Sequence, residues 1–454
     1  MNIIIVGGGK VGMTLAQQLS GEEHEITLID TNAKHVETAV STLDIQGVVG
    51  NGTSYRTQMD AGVKNADLLV AVTDTDETSL ISCLIAKKAG GCHTIARVRD
   101  PEHYNEIELI KEELGLSMAI NPEIAAAANI YRLIQVPSAL DVDSFAKGRV
   151  NMLRLEIPAG SVLDGLKLSE IDKAAKTKLL VCIVESGDNI FIPNGETRLK
   201  AGDKISIILP ISELRGVLNK IGITAKPIRN VMIAGGGNIS YYLAQMLIRS
   251  GIDVKILEIN RARCEELSEL LPEAMIINGD ASDQQLLMEE GIKGTDALVS
   301  MTGIDEENIL LSLYANKVSE ARRITKISKI AFEEVVRELP IGAVVCPKRI
   351  TAHHISSYVR SMQNSFGNNN VETLYRMMDD RVEALEFKVS SSAQGSFINV
   401  PLKDLSLKPN ILVCSIIRGK KITIPRGSDS IKSGDTVIVV TTTTGLKDLS
   451  DIFA

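Results

Sequence analysis

The sequence predicts an α/β chain of two tandem repeats, each a doubly wound parallel-sheet module followed by a small α+β module. Three observations lead there. Residues 3–9 read IIIVGGG and residues 231–237 read VMIAGGG, with Gly7 and Gly235 228 positions apart, and a spacing that persists along a chain marks a duplication. Within each copy, short apolar runs alternate with helix-length stretches, the βαβ pattern of a parallel sheet. Further along each copy the apolar period drops to two, which marks strands with one buried face.

Taken in order, the elements recur in both halves. Asp30, closing EITLID, aligns with Glu258, closing VKILE, again at 228; Gly50-Asn51-Gly52-Thr53 aligns with Gly279-Asp280-Ala281-Ser282, and Thr73 with Thr302, at 229. Ile192-Pro193-Asn194-Gly195 followed by Gly202-Asp203 returns as Ile424-Pro425-Arg426-Gly427 followed by Gly434-Asp435, at 232. Strands of the first module are expected at 3–6, 26–29 and 68–72, and of its copy at 231–234, 254–257 and 297–301. In the small modules Leu153, Leu155 and Ile157 alternate with Arg154 and Glu156, as Leu385, Phe387 and Val389 do with Glu386 and Lys388. Segments 124–135 and 350–361 are each long enough for one helix. The first, IAAAANIYRLIQ, is apolar on nearly all faces and is expected to pack on more than one side, as an interdomain or subunit-contact helix. The expected divisions are a dinucleotide-binding module at 1–122, a connecting helix at 123–141 and a small module at 142–227. They repeat at 228–347, 348–370 and 371–454.

Gly7-Gly8-Gly9-Lys10-Val11-Gly12 fits G-x-G-x-x-G between a strand and a helix, and Asp30 lies 18 residues past Gly12, the Rossmann-like fingerprint. Gly7 permits the tight turn, Gly9 leaves room for a pyrophosphate, and Gly12 lets the helix lie close on the sheet, so that phosphates meet free N–H groups. Asp30 is expected to accept hydrogen bonds from the adenine ribose hydroxyls, and its charge would repel a 2′-phosphate, favouring NAD over NADP. Thr73-Asp74 and Arg97 follow the apolar runs DLLVAV and HTIA, whose C-terminal ends border the same crevice. In the second copy Gly235, Gly237 and Glu258 remain, Ser240 replaces the third glycine, and Lys326 replaces Arg97, keeping the charge but losing the planar fork. This second motif reads either as an occupied site or as a copy kept for symmetry.

At 454 residues the chain exceeds one hydrophobic core, and three or four domains are expected. Composition is ordinary for a globular protein, no uncharged apolar run approaches the roughly 18 residues that cross a bilayer, and the chain start lacks a signal-peptide pattern. A cytosolic location follows as the expectation. The formal net charge of −8, without a Lys/Arg block, argues against nucleic acid and against direct anchoring to lipid. Cys83, Cys92, Cys182, Cys264, Cys346 and Cys414 form no C-x-x-C pair and have no histidine at zinc-ligand spacing, so buried free thiols and no metal site are expected. Hydride transfer needs an acid or base beside the nicotinamide. No tyrosine has a lysine four residues on. His24, His35, His93, His103, His353 and His354 fall mostly in polar stretches, with His353 and His354 about 100° apart on a helix. No catalytic residue is assigned, and an NAD-dependent oxidoreductase stands as the alternative to a sensor that changes shape on binding.

The whole chain resembles the TrkA family of Trk-system potassium uptake proteins, which carry tandem regulator-of-potassium-conductance (RCK) units. The resemblance rests on GGGKVG with Asp30, VTDTDE at 72–77, IARVRDPE at 95–102, NIYRLI at 129–134, GGGNIS at 235–240 and GDASDQQLL at 279–287. It implies a cytosolic protein, seated on the inner face of a potassium-translocating membrane subunit, that gates it in response to NAD(H) or to ATP/ADP. Gly7, Gly8, Gly9, Lys10, Val11, Asp30, Thr73, Asp74 and Arg97 match the family's first nucleotide site; Gly235, Gly236, Gly237, Asn238, Ile239, Glu258, Asp280 and Thr302 match the second. The family pattern further implies a homotetrameric ring. Asn51, where the second copy has Asp280, marks a difference near the adenine. The helix at 124–135, through Ile130 and Leu133, is expected to transmit the change.

Overall fold

The computed structural model describes residues 1–454 except 23, 147, 176–178, 211–213, 224–225, 329–332, 367–370, 379–380, 390–396, 444, 447 and 454. The chain divides into two compact units, and each gathers one kind of module: Met1–Tyr131 with Arg229–Ser356, and Arg132–Ile228 with Ser357–Ala454.

In the first unit, strands β1 (Asn2–Val6), β2 (Glu25–Asp30), β3 (Gln46–Val49), β4 (Leu68–Ala71), β5 (His93–Arg97) and β6 (Met118–Ile120) form a parallel sheet in the order β3-β2-β1-β4-β5-β6. That is the doubly wound order, with the switch point between β1 and β4. Ile3, Ile4, Ile5, Leu68, Leu69 and Val70 are all buried, as required of central parallel strands covered on both faces. The duplicate module repeats the order as a second six-stranded sheet. The unit's principal helices are α1 (Lys10–Ser20), α2 (Asp76–Ala89), α3 (Pro122–Gln135), α4 (Asn238–Arg249), α5 (Asp305–Val318) and α6 (Pro347–Phe366).

Helix α3 buries Ala125, Ala126, Ala127, Ile130, Leu133 and Ile134, so it is covered on more than one side, as its composition implies. It ends at Gln135, ahead of Pro137, because the residue before a proline is driven out of the helical region. The first connector therefore stops short of 141, where a strand begun at Ala139 is already running. The second connector is helical to Phe366, and its last residues, 367–370, lie outside the described residues. Both α3 and α6 run through a unit boundary, leaving one unit at Tyr131 and Ser356 and entering the other.

In the second unit, strands Ala139–Phe145, Val150–Glu156, Val181–Ser186, Asn189–Phe191 and Lys204–Pro210 form one antiparallel sheet. A second sheet repeats its strand order from residues 371–441. The sequence suggests one wet face per sheet, yet Met152, Cys182 and Ile183 of one module share a core with Ala384, Cys414, Ile438 and Val440 of the other. Pairing like with like buries the second face. Two mirrored contacts bind the pair: Arg149 Nη1 donates to Gly419 O at 2.9 Å and Arg381 Nη1 to Asp188 O at 3.2 Å.

All six cysteines are buried and free. Of the six histidines, read from sequence as lying mostly in polar stretches, His24 is 6% exposed, in the turn before β2 that is tied to the chain start through Glu25 N to Met1 O. No helix among the described residues is long and apolar enough to cross a membrane.

Candidate nucleotide-binding site

Between β1 and α1 the chain must turn without a side chain. Gly7 sits at φ +106°, and a Cβ there would lie 2.8 Å from Val72 O. At Gly12 an ideal Cβ would lie 1.8 Å from Gly7 O: only glycine lets α1 pack this close. Gly9, the N-cap of α1, is extended at φ −70°, ψ −170° and makes no side-chain cap. A Cβ on Gly9 would meet nothing within 4 Å, so the loop faces open space above the first-turn N–H groups of α1. Lys10 is exposed beside it and Val11 half-buried. An uncapped helix start in open space favours an anion through its free donors and its dipole.

Asp30 closes β2 directly under this loop. Its Oδ2 accepts from Gly8 N at 2.5 Å and its Oδ1 from Asn32 N at 2.7 Å, while His35 Nδ1 lies 3.4 Å from Oδ2. The carboxylate thus ties the glycine turn to the end of β2, and each oxygen keeps a lone pair for a further donor. Sequence reasoning gave Asp30 the ribose alone. Its role in holding Gly8 is a local contact that spacing does not reveal.

At the far side of the crevice Arg97 ends β5. Its Nη2 donates to Thr73 O, the residue is 9% exposed, and its Nε is buried with no partner. Burial, then the neighbouring Arg99 cation, lowers its pKa. A buried cation with an orphaned donor is stabilised by an arriving anion. Thr73 turns its hydroxyl inward, to Thr75 O at 3.0 Å and Ser79 Oγ at 2.8 Å. Asp74 is exposed, its carbonyl taken by the Arg99 guanidinium. Asn51 is also exposed, and its Oδ1 receives Thr53 N and Thr53 Oγ1, both at 2.9 Å. The structure therefore brings the glycine turn, Asp30 and Arg97 to one end of the sheet, and spends the Thr73 hydroxyl within its own loop.

The second copy is built alike. Gly235 sits at φ +99°, and a Cβ on Gly237 would meet nothing within 4 Å. Gly237 caps α4 with no side-chain bond, leaving Asn238 exposed and Ile239 half-buried beside open space. Glu258 repeats Asp30, accepting from Gly236 N and Asn260 N, both at 2.7 Å. Ser240 resolves its departure from glycine locally: 1% exposed, it donates from Oγ to Gly235 O at 2.5 Å. Asp280 accepts from Ser282 N at 2.8 Å, and that bond lowers its pKa. Thr302 sends its hydroxyl to Ile304 O and Glu307 Oε2.

Two further differences separate the copies. Lys326 donates to Thr302 O at 2.7 Å, and burial lowers its pKa. Where the first copy has His35, the second has Arg263, which braces the turn by donating to Gly236 O at 2.9 Å and Asn238 Oδ1 at 3.2 Å. The motif reading passed over this pair, although the 228-residue spacing relates them. It also gave no role to Asp76 and Asp305, which hold the loops after the next strand through Arg99 N and Ser328 N.

The open cradles over Gly9 and Gly237, together with the orphaned Nε of Arg97, fit a phosphate-bearing nucleotide at the first site, and the second shares the cradle. The family described as the TrkA-N domain matches residues 3–122 and again 231–347, and the TrkA-C domain matches 152–222 and 386–454. The chain belongs to the TrkA family. A Trk system potassium uptake protein TrkA homolog from Archaeoglobus fulgidus is 32% identical over the full length of both chains. The Trk system potassium uptake protein TrkA of Haemophilus influenzae is 31% identical, over 97% of this chain and 95% of its own. Among solved structures, the GsuK channel bound to NAD aligns at a TM-score of 0.63 and 18% identity, covering 97% of this chain and 77% of that one. At that identity the likeness is one of fold, and it spans both repeats of this TrkA-family chain.

Proposed function

We propose that the protein is a nucleotide-binding regulatory subunit, without catalysis of its own, that gates a Trk-type potassium-translocating membrane subunit in response to NAD(H) or ATP/ADP. The observation that carries this reading is the crevice itself. Twice in one chain, an uncapped helix start faces open space beside a carboxylate that anchors the glycine turn. Family membership supports the potassium role, since the relatives are named as potassium uptake proteins, and the GsuK structure is titled as bound to NAD.

When bound, a nucleotide supplies negative charge and a rigid span; its chemistry is not consumed. The α1 first-turn N–H groups and Arg97 hold phosphate, and Asp30 orients the ribose while keeping Gly8 in place. The second site uses the α4 first turn, Glu258 and Lys326. A ligand that prefers one arrangement of the modules shifts their population by its differential affinity alone. The protein works as a homotetrameric ring on the inner face of the membrane, held there by its partner. The test is growth at limiting potassium of a bacterial strain lacking its own Trk regulator. Complementation by the wild-type chain that Asp30→Ala abolishes supports the reading. Growth restored equally by both chains, or by neither, contradicts it.

A further inference from the structure

Asn121, 3% exposed, stands between β6 and α3 and makes three hydrogen bonds. Its Oδ1 accepts from Ile124 N at 2.9 Å, capping α3; its Nδ2 donates to Arg99 O and to Tyr242 Oη, each at 3.2 Å. Tyr242 belongs to the other nucleotide module, on α4, four residues past Asn238 where that helix begins over the second glycine turn. It is 7% exposed, and burial pushes its phenol up to about 12, so the hydroxyl persists across the working pH range. One amide thus joins the backbone of the first crevice, the start of α3 and the helix that forms the second crevice.

The duplication makes this contact one-sided. Tyr242 corresponds to Thr14 in the first copy, and Thr14 Oγ1 is turned back to Lys10 O at 2.8 Å. Asn121, which precedes Pro122, corresponds to Cys346, which precedes Pro347. A symmetric dimer would carry such a contact twice or not at all; a fused pair is free to keep one.

We propose that Asn121 and Tyr242 are positioning residues that couple the two nucleotide sites, occupancy of the first changing the affinity of the second through α4. This rests on the two-site reading above. Arg97, with its orphaned Nε, lies two residues before Arg99, whose carbonyl Asn121 holds. An anion drawing Arg97 into the crevice moves this segment, and Asn121 carries the movement to Tyr242. The second glycine turn sits at the N-terminus of the same rigid helix. Linkage makes the effect reciprocal, so the second ligand changes the first affinity by the same factor.

The test uses the full-length protein with NADH and ADP as probes, sites being assigned with Asp30→Ala and Glu258→Ala. In the wild type, saturating one site is expected to change the Kd at the other about fivefold or more, equally in both directions. Tyr242→Phe, which removes only the hydroxyl, is expected to bring that ratio to within about twofold of unity while both sites still bind. Tyr131→Phe is the control, since Tyr131 Oη meets Ser250 Oγ at 2.7 Å near the far end of α4, and it is expected to keep the coupling. Coupling unchanged in Tyr242→Phe, lost equally in Tyr131→Phe, or absent from a wild type that fills both sites overturns the inference and leaves the nucleotide reading standing. A wild type that binds neither probe overturns both.

Discussion

The two nucleotide modules solve the same packing problem differently, and the difference shows which parts of the turn are interchangeable. In the first, Gly12 brings α1 so close that any side chain would enter Gly7 O. In the second, Ser240 accommodates a side chain and uses it to bond Gly235 O at 2.5 Å. The carboxylates behave identically, whereas the residue behind each one changes from His35 to the bracing Arg263. Turn geometry is thus held by the backbone and one acid, while charge at the rim is free to diverge. Under the proposed reading, two copies with one shape and different rims would be two sites with different preferences.

The largest expected effect breaks the comparison at its tightest point. Gly12→Val drives two methyls against a backbone oxygen that cannot move aside, at a cost of about 3 kcal/mol. A lowered urea midpoint and loss of first-site binding are expected, with the second site retained. Gly12→Ser imports the second copy's solution and is expected to cost clearly less; equal damage from both would show that the hydroxyl–carbonyl bond of Ser240 is incidental. Ser240→Ala keeps the Cβ and removes only that bond, for about 1 kcal/mol, again by urea denaturation.

Next comes the cation at the end of the fifth strand of each sheet. Burial holds the Lys326 pKa below the ordinary value of about 10.4, so its ammonium is lost as pH rises toward that value. ADP affinity at the second site is expected to fall severalfold as pH rises toward that value, while the first site, held by Arg97, falls less. Lys326→Arg should flatten the second profile, as read by titration at each pH, and a fall that persists would assign it to another group.

A separate comparison lies in the paired small modules, where the repeat places Asp143 opposite Tyr375 in register. Burial, then the Asp141 charge, raises the half-buried Asp143 carboxyl to about 8, whereas burial keeps the Tyr375 phenol neutral. A carboxyl raised on folding contributes stability fully below its unfolded value near 3.9 and loses it as pH climbs to about 8. Asp143→Asn is therefore expected to gain on the wild type progressively across that interval, and Tyr375→Phe to show no such trend. Thermal melts at pH 5, 7 and 9 measure both.

Much of the nucleotide module was legible because its signals are local. Glycines at fixed offsets, an acid at the end of the second strand and fully apolar central strands each follow from backbone geometry within a few residues. The repeat offset then carried the reading into the second half. What stayed hidden depends on residues far apart in sequence. Nothing in a tandem order says that like modules pair with like, and the pairing shows only when Cys182 and Cys414 meet in one core and Arg149 and Arg381 each donate to a hairpin of the other small module, at Gly419 and Asp188. Thr73 illustrates a subtler limit: its position in the loop was right, but its hydroxyl is taken by Ser79, one turn into the next helix.

The measurement that tests the central claim most directly is calorimetric titration of the full-length protein with NADH, NAD⁺, ADP and ATP, repeated on Asp30→Ala and Glu258→Ala. Two classes of site are expected, each variant weakening one by about 1–3 kcal/mol, with NADH recovered unoxidised. A single class indifferent to both substitutions, or consumption of NADH, would contradict the account.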